Sequence, residues 1–340
     1  MRAITLSKYG GPDVMKLQDM PRPVPEANQV LIRTVTAGLN PVDALQRQGT
    51  FRMVQPYTFP KITGNELSGV VESVGSLVRE FQPGDHVMTR TGSEQLSALA
   101  EYVAVDQDFV ARAPQNLPLS DAAAIPLAGL TAQQALGPEH LDLQAGERLL
   151  ITGGAGGVGL LAIQLAKLTG AHVTTTASSA GEELVREAGA DHVINYRDRK
   201  ISEGNERFAK VLDLVGGETV ADLMSTVERG GAVVSIAGPP TPGSLAEDRD
   251  LSKPKAALVR AVEEILSFKI RRSAKKARAT FEFFLMHPDG EGLARLASLV
   301  DQGKLRVTID SRYPLDQFRA AFEQLESRRS KGKVLVEISD

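Results

Sequence analysis

The stretch that decides the fold is 149–159, Leu-Leu-Ile-Thr-Gly-Gly-Ala-Gly-Gly-Val-Gly, in which an apolar run leads into closely spaced glycines. The glycines at 154, 156 and 159 fit the spacing G-x-G-x-x-G, and a helical pattern follows that ends at Gly170 before a second apolar run, 172–176. This order of strand, glycine turn, helix and strand is typical of a dinucleotide-binding unit. The sequence therefore predicts that the backbone of one short segment holds a dinucleotide pyrophosphate: Gly153, Gly154, Ala155, Gly156, Gly157, Val158 and Gly159.

The end of the second apolar run indicates which dinucleotide is bound. Sites for NAD usually carry Asp or Glu about 20 residues after the first glycine, where the acid holds the ribose 2′-hydroxyl. This chain has Ser178 at that place, and the first acid, Glu182, comes later. A small hydroxyl leaves room for a 2′-phosphate and does not repel it. The sequence thus favours NADPH over NADH. Four polar residues after the next strand could complete the pocket for the 2′-phosphate or form a solvated loop: Tyr196, Arg197, Arg199 and Lys200.

Composition and charge limit the class of protein. The chain has 340 residues, of which 42% are hydrophobic and 24% charged, and these values are typical of a globular protein with room for two domains. A formal net charge of −3 gives no global reason to expect nucleic acid or a membrane as partner. The absence of cysteine excludes disulfides, thiol nucleophiles and thiolate metal sites. No signal peptide and no long apolar run is recognised, so a cytoplasmic location is expected.

Two kinds of pattern divide the chain. The first 120 residues are rich in short strands separated by turn signals, whereas strands and helices alternate from about residue 122 onward, which is typical of a doubly wound parallel sheet. The sequence predicts an α/β protein with a β-rich domain of residues 1–122 and 288–340 and a Rossmann domain of residues 123–287. Within the second domain the predicted strands are 149–152, 173–176, 193–195, 211–215, 232–237 and 280–286, and a helix is predicted at 219–227.

Several further motifs are spread over the whole chain: 37–43 Ala-Gly-Leu-Asn-Pro-Val-Asp, 83–87 Pro-Gly-Asp-His-Val, 100–102 Ala-Glu-Tyr, 126–132 Pro-Leu-Ala-Gly-Leu-Thr-Ala and 332–334 Gly-Lys-Val. Together with the glycine turn, they resemble the medium-chain dehydrogenase/reductase superfamily, in its zinc-independent quinone oxidoreductase (zeta-crystallin-like) branch. The resemblance implies a GroES-like catalytic domain, a Rossmann domain, a cofactor cleft between the two, and homodimers that join Rossmann sheets edge to edge. The apolar run 280–286, at the expected sheet edge, is the candidate for that pairing.

Two positions bear on metal binding. Zinc-dependent relatives place Cys where this chain has Asn40 and His where it has Asn65. Asn is a poor zinc ligand beside thiolate or imidazole. The five histidines, at 86, 140, 172, 192 and 287, are scattered and are interpreted as structural. We therefore expect no metal and no zinc alcohol dehydrogenase mechanism.

The resemblance also implies roles for individual residues. Asn40 is the candidate catalytic residue and would hydrogen-bond near the nicotinamide ribose or the substrate carbonyl, and Thr131 would contact the nicotinamide ring. Ser178, Tyr196 and Arg328 would surround the adenosine 2′-phosphate. The remaining cofactor contacts would be Val215, Ile236, Ala237, Gly238 and Phe284.

The substrate cleft is assigned to Phe51 and Tyr57. The branch usually has Tyr where this chain has Phe51, and in enoyl-thioester reductase relatives that Tyr is a proposed proton donor. Phe cannot donate a proton, which weakens the enoyl-thioester interpretation. Tyr57 is near in sequence, and an ordinary core or rim position is the simpler interpretation of it.

The leading hypothesis is an enzyme in which NADPH gives hydride to a small-molecule substrate, either a quinone or an α,β-unsaturated carbonyl compound. Such chemistry needs positioning more than acid–base groups. The alternatives are a zinc-free ketone or alcohol oxidoreductase, an enoyl-thioester reductase and, from a different class, an NADPH-binding sensor or RNA-binding protein. The last rests on the basic segment 253–278. Because Glu263 and Glu264 interrupt that segment and Phe268 is its only aromatic residue, a solvated helix face is favoured over nucleic acid.

Overall fold

The computed structural model describes residues 1–92, 95–217, 219–245 and 251–339, and the chain forms two compact units. The first unit comprises Met1–Leu130 and His287–Asp340, and the second comprises Thr131–Met286. Residues 123–130 fall in the first unit, where Ala123 and Ala124 pack against Leu335.

The first unit is built mainly of antiparallel strands. Its elements before the second unit are β1 (Arg2–Leu6), β2 (Met15–Asp19), β3 (Gln29–Leu39), α1 (Pro41–Gln48), β4 (Lys61–Ile62), β5 (Glu66–Val74), β6 (His86–Arg90), β7 (Tyr102–Asp106), β8 (Val110–Arg112), α2 (Leu119–Ala122) and α3 (Pro126–Leu136), the last of which continues past Leu130.

The second unit is a doubly wound parallel sheet, as predicted. Its strands are β9 (Arg148–Ile151), β10 (His172–Ala177), β11 (His192–Asn195), β12 (Phe208–Asp213), β13 (Val227–Ser235) and β14 (Thr280–Phe283). Its helices after α3 are α4 (Gly157–Thr169), α5 (Ser179–Glu187), α6 (Thr219–Leu223) and α7 (Lys253–Ala277). The strand order β11-β10-β9-β12-β13-β14 is that of the dinucleotide-binding fold, in which ligands bind beyond the carboxyl ends of the strands.

The chain then returns to the first unit with α8 (Gly290–Asp301), β15 (Ile309–Pro314), α9 (Phe318–Glu326) and β16 (Lys333–Glu337). Strand β16 pairs with β3 in the larger sheet, whose order is β15-β16-β3-β5-β6-β8, and β7 also pairs with β3. A smaller sheet has the order β2-β1-β4. The core of this unit includes Ile4, Ile32 and Leu67 from the strands and Phe318 and Phe322 from α9.

Several predicted boundaries are wrong. The helix predicted at 219–227 ends at Leu223, because the Thr226 N–H and hydroxyl both turn back to the Leu223 carbonyl and β13 begins at Val227. The strands predicted to end at 215, 237 and 286 end at Asp213, Ser235 and Phe283. Strand β14 does end the sheet order, as predicted. Among the described residues, no helix combines the length and the apolar character that crossing a bilayer would need.

Candidate functional site

The glycine turn between β9 and α4 has the geometry that the sequence pattern requires. Gly153 has a φ of +68°, a left-handed conformation that favours glycine, and its N–H donates to Thr176 Oγ1 at 2.9 Å. A Cβ on Gly159 would lie 2.5 Å and 2.6 Å from the carbonyl oxygens of Gly153 and Gly154, so only glycine fits where the helix meets the turn. A Cβ on Gly156 would meet only the Gly153 carbonyl oxygen, at 3.4 Å. The space in front of Gly156 is therefore open to a ligand.

Helix α4 begins directly after Gly156 and carries no acidic side chain in its first turn. The first N–H groups of a helix have no partner within it, and the helix dipole places partial positive charge there. Such a terminus binds phosphate. The open approach at Gly156 and this terminus together fit a dinucleotide pyrophosphate, and residues 153–159 are the ones that would hold it.

A buried carboxylate that sequence reasoning missed organises the neighbouring strand ends. Asp213 is fully buried, and its two oxygens accept hydrogen bonds from Thr152 Oγ1 at 2.8 Å, directly after β9, and from Ser235 Oγ at 2.6 Å, at the end of β13. Its Oδ1 also accepts from the N–H groups of Val215 and Gly216, at 3.2 Å each. The Ser235 hydroxyl accepts in turn from the N–H of Gly238 at 2.7 Å. The network fixes the backbone of the predicted cofactor contacts Val215, Ile236, Ala237 and Gly238.

Two of the predicted 2′-phosphate residues lie at the same edge of the sheet. Ser178 and Tyr196 come directly after Ala177 and Asn195, which are paired across β10 and β11. Ser178 is half-buried at the start of α5, and Tyr196 is exposed. Of the basic candidates, Arg199 forms an ion pair with Glu206 at 3.0 Å. Arg328 is exposed, has a φ of +57° and belongs to the other unit.

The predicted nicotinamide residues of the second unit are both buried. Phe284 directly follows β14, and its ring centroid lies 4.2 Å from that of His140. His140 Nδ1 lies 2.9 Å from a carboxylate oxygen of Glu282. Thr131 lies in α3 and is 3% exposed. His140 therefore packs against Phe284 and helps to hold its ring in place.

In the first unit, Asn40 lies in a buried ionic network that its sequence motif alone does not reveal. Its Nδ2 donates to Glu66 Oε1 at 2.7 Å, and its Oδ1 accepts from Lys333 Nζ at 2.5 Å. Lys333 Nζ also pairs with Glu66 Oε1 at 2.5 Å and donates to the Leu39 carbonyl at 3.0 Å. Glu66 Oε2 accepts from the Leu127 N–H at 2.6 Å. Because Lys333 can only donate, it fixes which way the Asn40 amide faces.

Asn65 belongs to an adjoining buried group. Its Nδ2 donates to Asp43 Oδ1 at 2.6 Å and to Gln46 Oε1 at 2.7 Å. Asp43 Oδ2 accepts the Asn40 N–H at 2.7 Å, which caps α1. Burial raises the pKa of Asp43 to about 6, although the hydrogen bonds from Asn65 and Asn40 oppose this shift. Burial also lowers the pKa of Arg90 to about 10, against the attraction of Asp43 and Glu66.

These amides therefore hold ammonium and carboxylate groups of the chain itself. Both positions at which zinc-dependent relatives carry ligands are engaged in this way, Asn40 by Lys333 and Glu66 and Asn65 by Asp43. Within residues 1–92, 95–217, 219–245 and 251–339, no group of three or more His, Asp or Glu side chains is arranged to hold a metal ion.

The raised pKa of Asp43 makes stability depend on pH in a specific direction. A carboxyl whose folded pKa lies above its ordinary value of 3.8 favours folding below that value, and this contribution is lost as pH rises through about 6. In the unmodified protein, we expect this group to lower the free energy of unfolding by about 2–3 kcal/mol as pH rises from about 4 to 7. Asp43→Asn should not show this decrease. Urea unfolding of both proteins across this range measures the difference, and parallel pH curves would contradict the assignment.

The two predicted cleft residues both belong to the first unit. Phe51 and Tyr57 are each half-buried in the loop after α1. The Tyr57 ring centroid lies 5.7 Å from that of Tyr9, and the Tyr57 N–H donates to the Tyr9 hydroxyl at 2.8 Å. Tyr57 thus packs within an aromatic cluster that also contains Phe59.

Comparisons with known proteins agree with this architecture. The model of the alcohol dehydrogenase GroES-like domain matches residues 26–115, and that of the zinc-binding dehydrogenase family matches residues 188–336. The NADPH-dependent alkenal/one oxidoreductase, chloroplastic, of Arabidopsis thaliana is 33% identical over 347 residues, covering 99% of this chain and 79% of that protein.

Two solved structures extend the comparison. The quinone oxidoreductase from Coxiella burnetii has a TM-score of 0.86 and 32% identity, covering 100% of this chain and 99% of its own. The Escherichia coli quinone oxidoreductase complexed with NADPH has a TM-score of 0.83 and 26% identity, covering 99% of this chain and 100% of its own.

Proposed function

Because the chain belongs to the medium-chain dehydrogenase/reductase superfamily, in its zinc-independent quinone oxidoreductase branch, we propose that it is an NADPH-dependent oxidoreductase that reduces quinones or α,β-unsaturated carbonyl compounds by hydride transfer. The names of the Arabidopsis and Coxiella relatives support both substrate classes. The observation that carries the proposal is the glycine turn, whose open approach at Gly156 leads to the start of α4.

When bound, NADPH supplies the hydride, and the protein binds and orients the reactants and excludes water. The backbone of residues 153–159 would hold the pyrophosphate, and Ser178, Tyr196 and Arg328 would hold the 2′-phosphate. Val215, Ile236, Ala237 and Gly238 would line the cofactor, and Thr131 and Phe284 would contact the nicotinamide. Phe51 and Tyr57 remain the proposed cleft residues.

Asn40 is the proposed catalytic residue. One N–H of its amide is committed to Glu66, and its Oδ1 faces Lys333. Donation to the oxygen of an acceptor therefore falls to the second N–H of the same amide. Conjugated acceptors suit such a site, because their electron-poor π systems take hydride with little activation. A hydrogen bond to the developing enolate oxygen adds to the rate.

We also propose a homodimer, for which β14 at the end of the strand order offers an edge that a twofold-related copy could extend. The proposed domains are residues 1–122 with 288–340 and residues 123–287; their first boundary lies eight residues before that of the two compact units, and their second lies one residue after it. The other proposed partner is a small-molecule substrate, and no nucleic-acid partner is proposed. The proposed location is the cytoplasm, and subcellular fractionation tests it.

The function is tested with a panel of 1,4-quinones, short enones and matched saturated ketones, followed by loss of NADPH absorbance. We expect turnover with quinones or enones and little with saturated ketones. Faster reduction of the saturated ketones would favour the ketone reductase alternative. No turnover with any quinone or enone would refute the proposal.

Ser178 tests the choice of cofactor. We expect Ser178→Asp to weaken NADPH binding by about 1–3 kcal/mol, because the new carboxylate would face the 2′-phosphate without compensation. NADH, which lacks that phosphate, is the internal control and should bind the variant at least as well as the unmodified protein. Calorimetric titration of both cofactors gives the comparison, and equal affinity of the unmodified protein for both would overturn the NADPH assignment.

A further inference from the structure

Helix α7 carries a buried face and, beside it, a row of apolar side chains that are exposed among the described residues. One face is buried and consists of Val259, Glu263, Ser267, Ile270 and Ala274. The flank of the helix beside this face carries Leu258, Val262, Ile265 and Leu266, whose spacing aligns them along the helix. They are exposed by 57%, 37%, 76% and 55%, and neighbouring Phe268 by 59%. Single exposed apolar residues are ordinary, but a contiguous row marks an interaction surface. We call these four residues the outer stripe.

Basic residues continue the outer stripe at both ends. Helical spacing places Lys255 on its face before Leu258 and places Lys269, Arg272 and Lys276 on it after Leu266. The helix holds eight Lys and Arg against two Glu, in a chain with a formal net charge of −3. The cationic charge is thus concentrated on the helix that carries the stripe.

The two carboxylates of α7 do not neutralise this face. Glu263 is 1% exposed and points inward, where it accepts the N–H groups of Gly243 and Leu245 at 2.7 Å and 2.8 Å. Glu264 pairs with Arg271. The basic residues that share the face of the stripe are Lys255, Lys269, Arg272 and Lys276, and neither glutamate lies among them.

We propose that the outer face of α7 docks on an anionic lipid surface, with the outer stripe at the boundary of headgroups and acyl chains and the flanking cations on lipid phosphates. A helix with apolar residues on one line and Lys or Arg around them binds membranes in this way, lying in the interface without crossing it. The expectation of no membrane partner came from the net charge, which averages over this uneven distribution. The docking is independent of the proposed reductase activity.

Charge and side-chain type together favour lipid over other occupants. The outer stripe is aliphatic, whereas proteins that bind single-stranded nucleic acid present aromatic rings on which bases stack. If two copies of α7 packed against each other, the cations at the ends of one helix would lie near those of the other and repel them. An anionic bilayer complements both the charge and the apolar row.

The experiment is co-sedimentation of the full chain with vesicles of phosphatidylcholine alone and vesicles containing about 30% phosphatidylserine. We expect sedimentation with the anionic vesicles only, and release as salt is raised, because charge attraction is screened. No sedimentation with the anionic vesicles, or equal sedimentation with both kinds, would overturn the proposal.

Two double variants separate the contributions. Ile265→Ser/Leu266→Ser removes two exposed residues from the C-terminal end of the stripe, and Lys269→Glu/Arg272→Glu reverses two of its flanking charges. We expect each to weaken anionic-vesicle binding about tenfold or more, since apolar burial and charge attraction both contribute. The matched controls are Leu168→Ser, on exposed α4 surface, and Lys8→Glu/Lys304→Glu, on exposed surface of the first unit. They should bind like the unmodified protein.

Circular dichroism and thermal unfolding show whether each variant is folded. If the stripe variants remain folded and bind anionic vesicles as well as the controls do, the proposal is wrong.

Light scattering and binding of a labelled RNA oligonucleotide test the other occupants. A dimer that dissociates only in Ile265→Ser/Leu266→Ser would assign the stripe to a second copy. RNA binding lost only in the charge variant, without vesicle binding, would assign it to nucleic acid. Either result would overturn lipid docking.

Discussion

Lys333→Met is expected to lower the free energy of unfolding by about 3–5 kcal/mol, because it leaves a buried carboxylate without its counter-charge. Lys333 and Glu66 are 4% and 0% exposed, and their charged atoms lie 2.5 Å apart. In the variant, Glu66 keeps the hydrogen bonds from Asn40 and from the Leu127 N–H but loses its bond to an ammonium group. The midpoint and slope of urea unfolding, followed by circular dichroism, measure the change.

Two further variants isolate the ion pair. Lys304→Met removes an exposed lysine of the same unit and should change stability by less than about 0.5 kcal/mol. Lys333→Met/Glu66→Gln removes both charges and should recover a large part of the loss, since a neutral amide is less costly to bury than a lone carboxylate. A double variant as unstable as the sum of its single variants would show that the pair contributes no coupling.

The sequence indicated that Asn40 and Asn65 stand where zinc-dependent relatives carry metal ligands. It did not predict which side chains surround them. Lys333 stands in a motif that carries the family resemblance and Glu66 directly follows Asn65, yet Glu66 and Lys333 are separated by 267 residues. Their contact depends on two strand pairings, Gly38 with Glu66 across β3 and β5 and Val334 with Leu39 across β16 and β3. A local pattern contains no information on such long-range register, so the network could be found only in the folded chain.

The second unit was more predictable because its information is local. The glycine turn, the helix ended by Gly170 and the alternation of strands and helices together predict the parallel sheet. The errors lie at the strand ends. The apolar run 211–215 continues past Asp213, but the Asp213 carboxylate accepts the N–H groups of Val215 and Gly216 and turns the chain. That carboxylate is held by Thr152 and Ser235, which are 61 and 22 residues away in sequence.

Some glycines of the turn are needed for it to fold, whereas Gly156 is proposed to be needed for cofactor binding. Gly156→Ala is expected to raise the NADPH dissociation constant about 10- to 100-fold, about 1.4–2.8 kcal/mol, while leaving the unliganded fold intact. Gly156 has a φ of −79°, which alanine adopts readily, and the new Cβ would meet only the Gly153 carbonyl oxygen, at 3.4 Å. The methyl group would instead occupy the space through which the pyrophosphate approaches the start of α4.

Gly159→Ala is the matched comparison, because it adds the same methyl group three residues away. There the Cβ would lie 2.5 Å and 2.6 Å from two backbone carbonyl oxygens, so the turn itself must shift. We expect Gly159→Ala to lower the melting temperature of the unliganded protein, and Gly156→Ala to leave it unchanged. Fluorescence titration with NADPH and thermal unfolding without it separate the two effects. If Gly156→Ala binds NADPH as tightly as the unmodified protein, the pyrophosphate does not pass over Gly156, and the cofactor site must lie elsewhere than the glycine turn.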